Sequence, residues 1–134
     1  MLVIDTSIVA PILLRDEPAL SAEATEAIAA GRLAAPSHWP LEVMNMLHVA
    51  ERRRRIDRRG RQIAVRTVRE LGVAVHADTG DHAWTDTSRL ADLYKLTIYD
   101  AAYLELAIRL GASLATRDGD LADAARAENI HILT

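Results

Sequence analysis

The chain has 134 residues, half of them hydrophobic, with no cysteine, no phenylalanine and a formal net charge of −3. These values exclude disulfides, thiolate metal sites and cysteine nucleophiles, and they favour a folded globule over a disordered chain. The N-terminus lacks the basic, long apolar pattern of a signal peptide and no stretch reaches 18 apolar residues, so a cytoplasmic protein without a membrane span is expected.

In chain order, "LVID" (2–5) is a short apolar run ending in an acid, the pattern of a buried strand reaching a sheet edge. "SIVAPILLR" (7–15) reads as a helix, with Pro11 in its first turn where no donor is needed. "DEPALSAEATEAIAAGR" (16–32) reads as a second helix stopped by Gly31. "LAAPS" (33–37) is a brief strand whose Ser37 is a good N-cap. The helix after it places Trp39, Val43, Met46, Leu47 and Ala50 on one face.

The run "ERRRRIDRRGR" (51–61) holds seven arginines, a solvated helix end or a phosphate contact. The next helix carries Ile63, Val65, Val68 and Leu71 near helical spacing and ends at Gly72. "VAVHA" (73–77) is a strand, and helices cover 81–96 and 99–111. "ASLAT" (112–116) is a strand, 120–129 a short helix and "IHILT" a last strand. Five short strands alternating with helices predict an α/β fold built on a parallel sheet. No internal repeat, linker or second domain is visible.

In such a sheet, functional groups gather at the carboxyl ends of the strands, near the point where strand order reverses. Asp5 ends the first strand, Glu42 lies early in the helix after the second, and Asp118 follows "ASLAT" by two residues. Asp100 stands in the first turn of the preceding helix, where Thr97-Ile98-Tyr99-Asp100 matches a capping box. Each acid has an ordinary structural role open to it. Asp5 can cap a helix, Glu42 can be a solvent-facing acid with Asn45 beside it, and Asp118 or Asp120 can cap the helix at 121; Asp120 with Asp123 also has capping-box spacing.

Together they are a poor structural device, because two carboxylates about 4 Å apart repel by roughly 4 kcal/mol at an effective dielectric near 20. An all-oxygen cluster suits Mg²⁺ or Mn²⁺. The five histidines, at 38, 48, 76, 82 and 131, form no H-x-x-x-H pair and read as surface or core residues rather than ligands.

The full set of motifs resembles the PIN-domain ribonucleases, specifically VapC-type toxins of type II toxin–antitoxin pairs. "VIDTS" resembles the opening strand and first acid, Asp5, with Thr6 beside it. "HWPLEVMNML" resembles W-x-x-E-x-x-N-x-L, giving Glu42 and Asn45. "YDAAYLELA" is similar to the third-acid motif and gives Asp100, and "LATRDGDLADAA" resembles T-x-D-x-x-L, giving Asp118 and the hydroxyl of Thr116, with Asp120 as an alternative or assistant. The likeness spans the chain and implies a single PIN domain over 1–134, a three-layer α/β fold with a parallel sheet of about five short strands flanked by helices.

The resemblance further implies metal-assisted hydrolysis of RNA (tRNA, rRNA or mRNA), with Asp5, Glu42, Asp100 and Asp118 holding one or two Mg²⁺ or Mn²⁺ ions. Arg52, Arg53, Arg54 and Arg55 would guide the RNA. A homodimer and a cognate VapB-type antitoxin that fills the active-site groove are implied as partners. Two rivals remain at this point. A haloacid-dehalogenase-like phosphatase would want a second acid two residues after Asp5, where Ser7 stands, and a larger chain. A PIN-like binding module without activity would be marked by loss of one of the acids, and none is lost.

Overall fold

The computed structural model describes residues 1–134. Five strands form one sheet: β1 (Leu2–Ile4), β2 (Leu33–Pro36), β3 (Ala74–His76), β4 (Ser113–Ala115) and β5 (Ile132–Leu133). All neighbouring strands are parallel, in the order β3-β2-β1-β4-β5. The chain therefore builds outward from β1 to β3, crosses back, and resumes at β4 on the other side of β1. The reversal of strand order lies between β1 and β4, whose register pairs Ile4 with Ala115.

β1 and β2 are buried at every position, as expected of central strands with helices on both faces. Eight α-helices surround the sheet: α1 (Thr6–Leu13), α2 (Ala22–Ala29), α3 (Trp39–Arg52), α4 (Arg58–Glu70), α5 (Thr79–His82), α6 (Ser88–Tyr94), α7 (Ile98–Leu110) and α8 (Gly119–Ala127). The core is aliphatic, with Val3, Ile4, Ile8, Val9, Leu47, Leu104, Leu114 and Leu121 fully enclosed. Helix α7 packs across β1, β2 and β4, and every residue from Ala101 to Ala107 is buried. A helix apolar nearly all round belongs in such a central position. It ends where Gly111 takes a left-handed φ of 58° and closes the last turn.

Five expectations about the helices change. Helix α1 starts at Thr6, so Pro11 is its sixth residue and removes an interior donor rather than an idle one; the helix ends two residues later. The expected second helix is confined to α2. Pro18 blocks helical pairing in the segment before it, and Ser21 caps the helix by accepting from Ala24 N–H at 3.1 Å. Ser37 does not cap α3: the N-cap is His38, without a side-chain bond, while the Ser37 N–H donates to Thr79 Oγ1 at 2.8 Å.

In α4 the buried stripe runs through Ala64 and Val68, and Ile63 is exposed. Asp57 sets that register by capping Gly60 N–H at 2.7 Å. The helix expected over 81–96 is broken by a π-helical turn, Ala83–Thr87, between α5 and α6. The predicted face of α3 holds, with Trp39, Val43, Leu47 and Ala50 buried and Met46 partly so.

Candidate active site

Asp5 follows β1 at the reversal point and is buried. It caps α1: Oδ1 accepts from Ser7 N–H at 2.7 Å, from Ser7 Oγ at 2.5 Å and from Ile8 N–H at 3.4 Å. Oδ2 accepts only from Thr116 Oγ1, at 2.5 Å, across 111 residues of sequence. Burial raises the Asp5 pKa, and the hydroxyls of Ser7 and Thr116 with the two N–H groups offset only part of that rise. Thr116 is buried and also accepts from Asp118 N–H at 3.0 Å, tying the end of β4 to the end of β1.

Glu42, in the first turn of α3, is half-buried and held by three side chains, one each from α1, α7 and the N-cap of α3 itself. Thr6 Oγ1 donates to Oε2 at 3.3 Å, and Tyr103 OH donates to Oε1 at 3.2 Å. His38 Nε2, one helical turn back, lies 2.9 Å from Oε1. Burial pushes the Glu42 pKa up, but His38 and the two hydroxyls outweigh it, and the net shift is downward. Glu42 is thus kept as an anion, while burial and the Glu42 charge drive the Tyr103 phenol upward and keep it a donor.

Asp100 lies in the first turn of α7, and its N–H donates to Thr97 Oγ1 at 3.1 Å, so the predicted Thr97 cap forms. Its pKa is raised, first by burial, then by the charges of Asp118 and Glu42. Asp100 thus lies within electrostatic reach of both Asp118 and Glu42. Asp118 caps α8 by accepting from Leu121 N–H at 2.8 Å on Oδ1, which leaves Oδ2 uncommitted. The capping role therefore belongs to Asp118, and Asp120 and Asp123 do not form the box their spacing allowed. Asp120 is exposed, and among the acids it is Asp118 that bears on Asp100. A cap uses only one carboxylate oxygen, so capping does not bar Asp118 from a second role.

No lysine or arginine pairs with Asp5, Asp100 or Asp118; the only ionic partner in the cluster is His38. Arg117, next to Asp118 in sequence, turns away and donates to the carbonyls of Pro18 and Ala19 at 2.8 and 2.5 Å. The donor set is all oxygen, Asp5 Oδ2 has lone pairs to spare, and Asp118 is exposed with Oδ2 uncommitted. This chemistry fits a hard divalent cation. In this structure no three Asp, Glu or His side chains are grouped tightly enough to hold an ion.

The remaining sequence candidates separate. Asn45 is exposed, and Arg52, Arg53 and Arg54 are exposed at the far end of α3, about 15 Å along the helix from Glu42. Arg55 is already engaged, with bonds of 2.8, 2.8 and 2.6 Å to Asp16 and Glu17. Sequence reasoning passed over His38, Tyr103 and Ser7. The spacing His38-x-x-x-Glu42 was the available signal for the first, and Tyr103, one turn after Asp100, for the second.

The chain has no match among curated proteins. Its fold is similar to that of PAE2754 from Pyrobaculum aerophilum, with a TM-score of 0.67, 22% identity and coverage of 98% of this chain and 81% of that one. FitAcB from Neisseria gonorrhoeae gives a TM-score of 0.65 at 12% identity, covering 100% and 97%. VapC20 from Mycobacterium tuberculosis, a sarcin–ricin loop cleaving toxin, gives 0.63 at 21% identity, covering 92% and 95%. The PIN-domain family model matches residues 2–127, the span that carries Asp5, Glu42, Asp100 and Asp118, and the chain belongs to the PIN-domain family.

Proposed function

We propose that the protein is a metal-dependent endoribonuclease and the VapC-type toxin of a toxin–antitoxin pair. The observation that carries this reading is that Asp5, Glu42, Asp100 and Asp118 stand at strand ends and helix starts around the β1/β4 reversal with no lysine or arginine paired to them, while burial, and then the charges of Asp118 and Glu42, raise the Asp100 pKa. The family membership and the fold shared with a toxin that cleaves the sarcin–ricin loop support it.

Asp5, Glu42, Asp100 and Asp118 would hold Mg²⁺ or Mn²⁺, which when bound supplies Lewis-acid activation of a phosphodiester and of water. The chain's own residues do the positioning. Thr116 and the α1 N–H groups fix Asp5 in one rotamer, and Thr6, Tyr103 and His38 fix Glu42 as an anion. Glu42, the acid whose pKa is lowered, is the one best suited to orient a water and accept its hydrogen bond at neutral pH. The N-terminus of α7 adds a partial positive charge beside Asp100.

On this reading the domain works as a cytoplasmic homodimer, neutralised by a VapB-type antitoxin. No helix of the structure is long and apolar enough to cross a membrane. The test is incubation of the purified protein with total cellular RNA and mapping of new ends. Cleavage is expected with Mg²⁺ or Mn²⁺, stopped by EDTA and absent in Asp100→Asn. Full activity in a folded Asp100→Asn protein overturns the assignment.

A further inference from the structure

Beside the acids stands a second feature that the metal chemistry does not use. Three rings form a file from the interior to the surface: Tyr103 is 1% exposed, His38 is intermediate and Tyr99 is 65% exposed. His38 meets Tyr103 edge-on at a centroid distance of 5.3 Å and 72°, and Tyr99 at 5.6 Å and 62°. Tyr99 directly precedes Asp100, and its neighbour Ile98 is 45% exposed, so an apolar ledge borders the carboxylates. We propose that Tyr99, steadied by His38, is the seat on which an unpaired nucleobase of the RNA stacks beside the phosphate to be cut.

The inference rests on the ribonuclease reading. The acids, with the cation they would hold, address only the phosphate, so holding the neighbouring nucleotide calls for a contact to its base. Stacking of a base on an aromatic face is such a contact. A base and its phosphate are joined through one ribose, so a base on the residue next to Asp100 brings its phosphate over the acids. The edge contact with His38 leaves the ring oriented before RNA arrives, which reduces the ordering cost of binding. The same imidazole touches Glu42, so His38 positions both the ledge and a site acid. Trp84 is more exposed, at 87%, but it lies on the π-turn and no ring contact orients it.

The experiment compares wild-type, Tyr99→Ala, Tyr99→Leu and Tyr99→Phe proteins on a pool of short random-sequence RNAs, with cut sites sequenced. Thermal melts confirm folding. For the wild type, a base preference next to the cut is expected. Tyr99→Ala and Tyr99→Leu should flatten it and raise KM by roughly tenfold or more with kcat little changed, and Tyr99→Phe should recover most of the loss.

An abasic residue at the flanking position of the preferred RNA should reproduce the Tyr99→Ala penalty in the wild type and add nothing in the variant. If wild-type protein cuts no RNA, the ribonuclease reading falls and the ledge with it. If it cuts but Tyr99→Ala behaves as wild type, or still loses on the abasic RNA, the ledge alone is overturned. A variant that cuts normally but no longer binds a partner protein likewise overturns it, assigning Tyr99 to that partner.

Discussion

Two groups of acids in this molecule meet opposite fates. Asp78 and the buried Glu105 are neutralised from within: Arg109 donates to Asp78 at 2.8 Å and to Glu105 at 2.7 and 3.2 Å, and His82 lies 3.5 Å from Glu105. Asp5, Asp100 and Asp118 have no cationic side chain, although Arg117 is at hand. The first group is balanced by a guanidinium within the fold; the second has no such partner, which is what the proposed cation site would need.

The largest effect that tests this contrast is Asp100→Asn. It should lower RNA cleavage by more than the roughly 10–100-fold typical of losing a metal-supporting partner. At the same time it should stabilise the metal-free protein by about 0.5–1 kcal/mol, as relief of a partly exposed like-charge contact, read from denaturant melts. Loss of stability on removing that charge would show that the cluster is compensated after all.

Arg109→Leu should do the reverse, destabilising the protein by on the order of 3 kcal/mol because Glu105 stays buried without its partner. Activity per folded molecule should hold, and Glu105→Leu added to Arg109→Leu should restore much of the stability. A selective loss of activity in the folded variant would join the two clusters into one functional unit.

Acidity gives a third, smaller effect. Burial raises the Asp5 and Asp100 pKa values above the ordinary aspartate value of 3.8, so the metal-free fold binds protons there more tightly than the unfolded chain. Their contribution is fully present below pH 3.8 and is lost as pH rises through the raised values. Glu42 runs the other way: lowered from 4.5, its contribution is present above that pH and is lost as pH falls through its folded pKa. Metal-free melts of Asp100→Asn should therefore fall less with rising pH above 4 than those of the wild type, and saturating Mg²⁺ should remove the difference. The smallest effect belongs to Arg55→Ala, whose loss of exposed bonds to Asp16 and Glu17 should barely shift the denaturant midpoint, with even that shift fading in high salt.

Much of this was legible in the chain itself. Five strands, their helical crossovers and the Thr97 cap follow from local pattern, and the acids fall at predictable places because strand ends and helix starts are where side chains leave the sheet. The errors are equally local. Pro11 stands past the first turn whether the helix starts at Ser7 or at Thr6, and the register of Ile63 is set by the Asp57 cap. Ser37 was a good capping residue whose N–H instead met Thr79 from another element. The π-turn at 83–87 has no periodic signature to betray it.

The sequence by itself determined which acids the chain carries, in what order, and that each sits at the end or start of a regular element. Tertiary structure decided what they are. Only the sheet order lays β4 beside β1, so that Thr116 reaches Asp5 across 111 residues. Likewise, only packing turns Tyr103 toward Glu42 and sends Arg117 away from Asp118. The physical reason is that a carboxylate's charge state and partners depend on what crosses its few ångströms of surroundings, and those neighbours are remote in sequence.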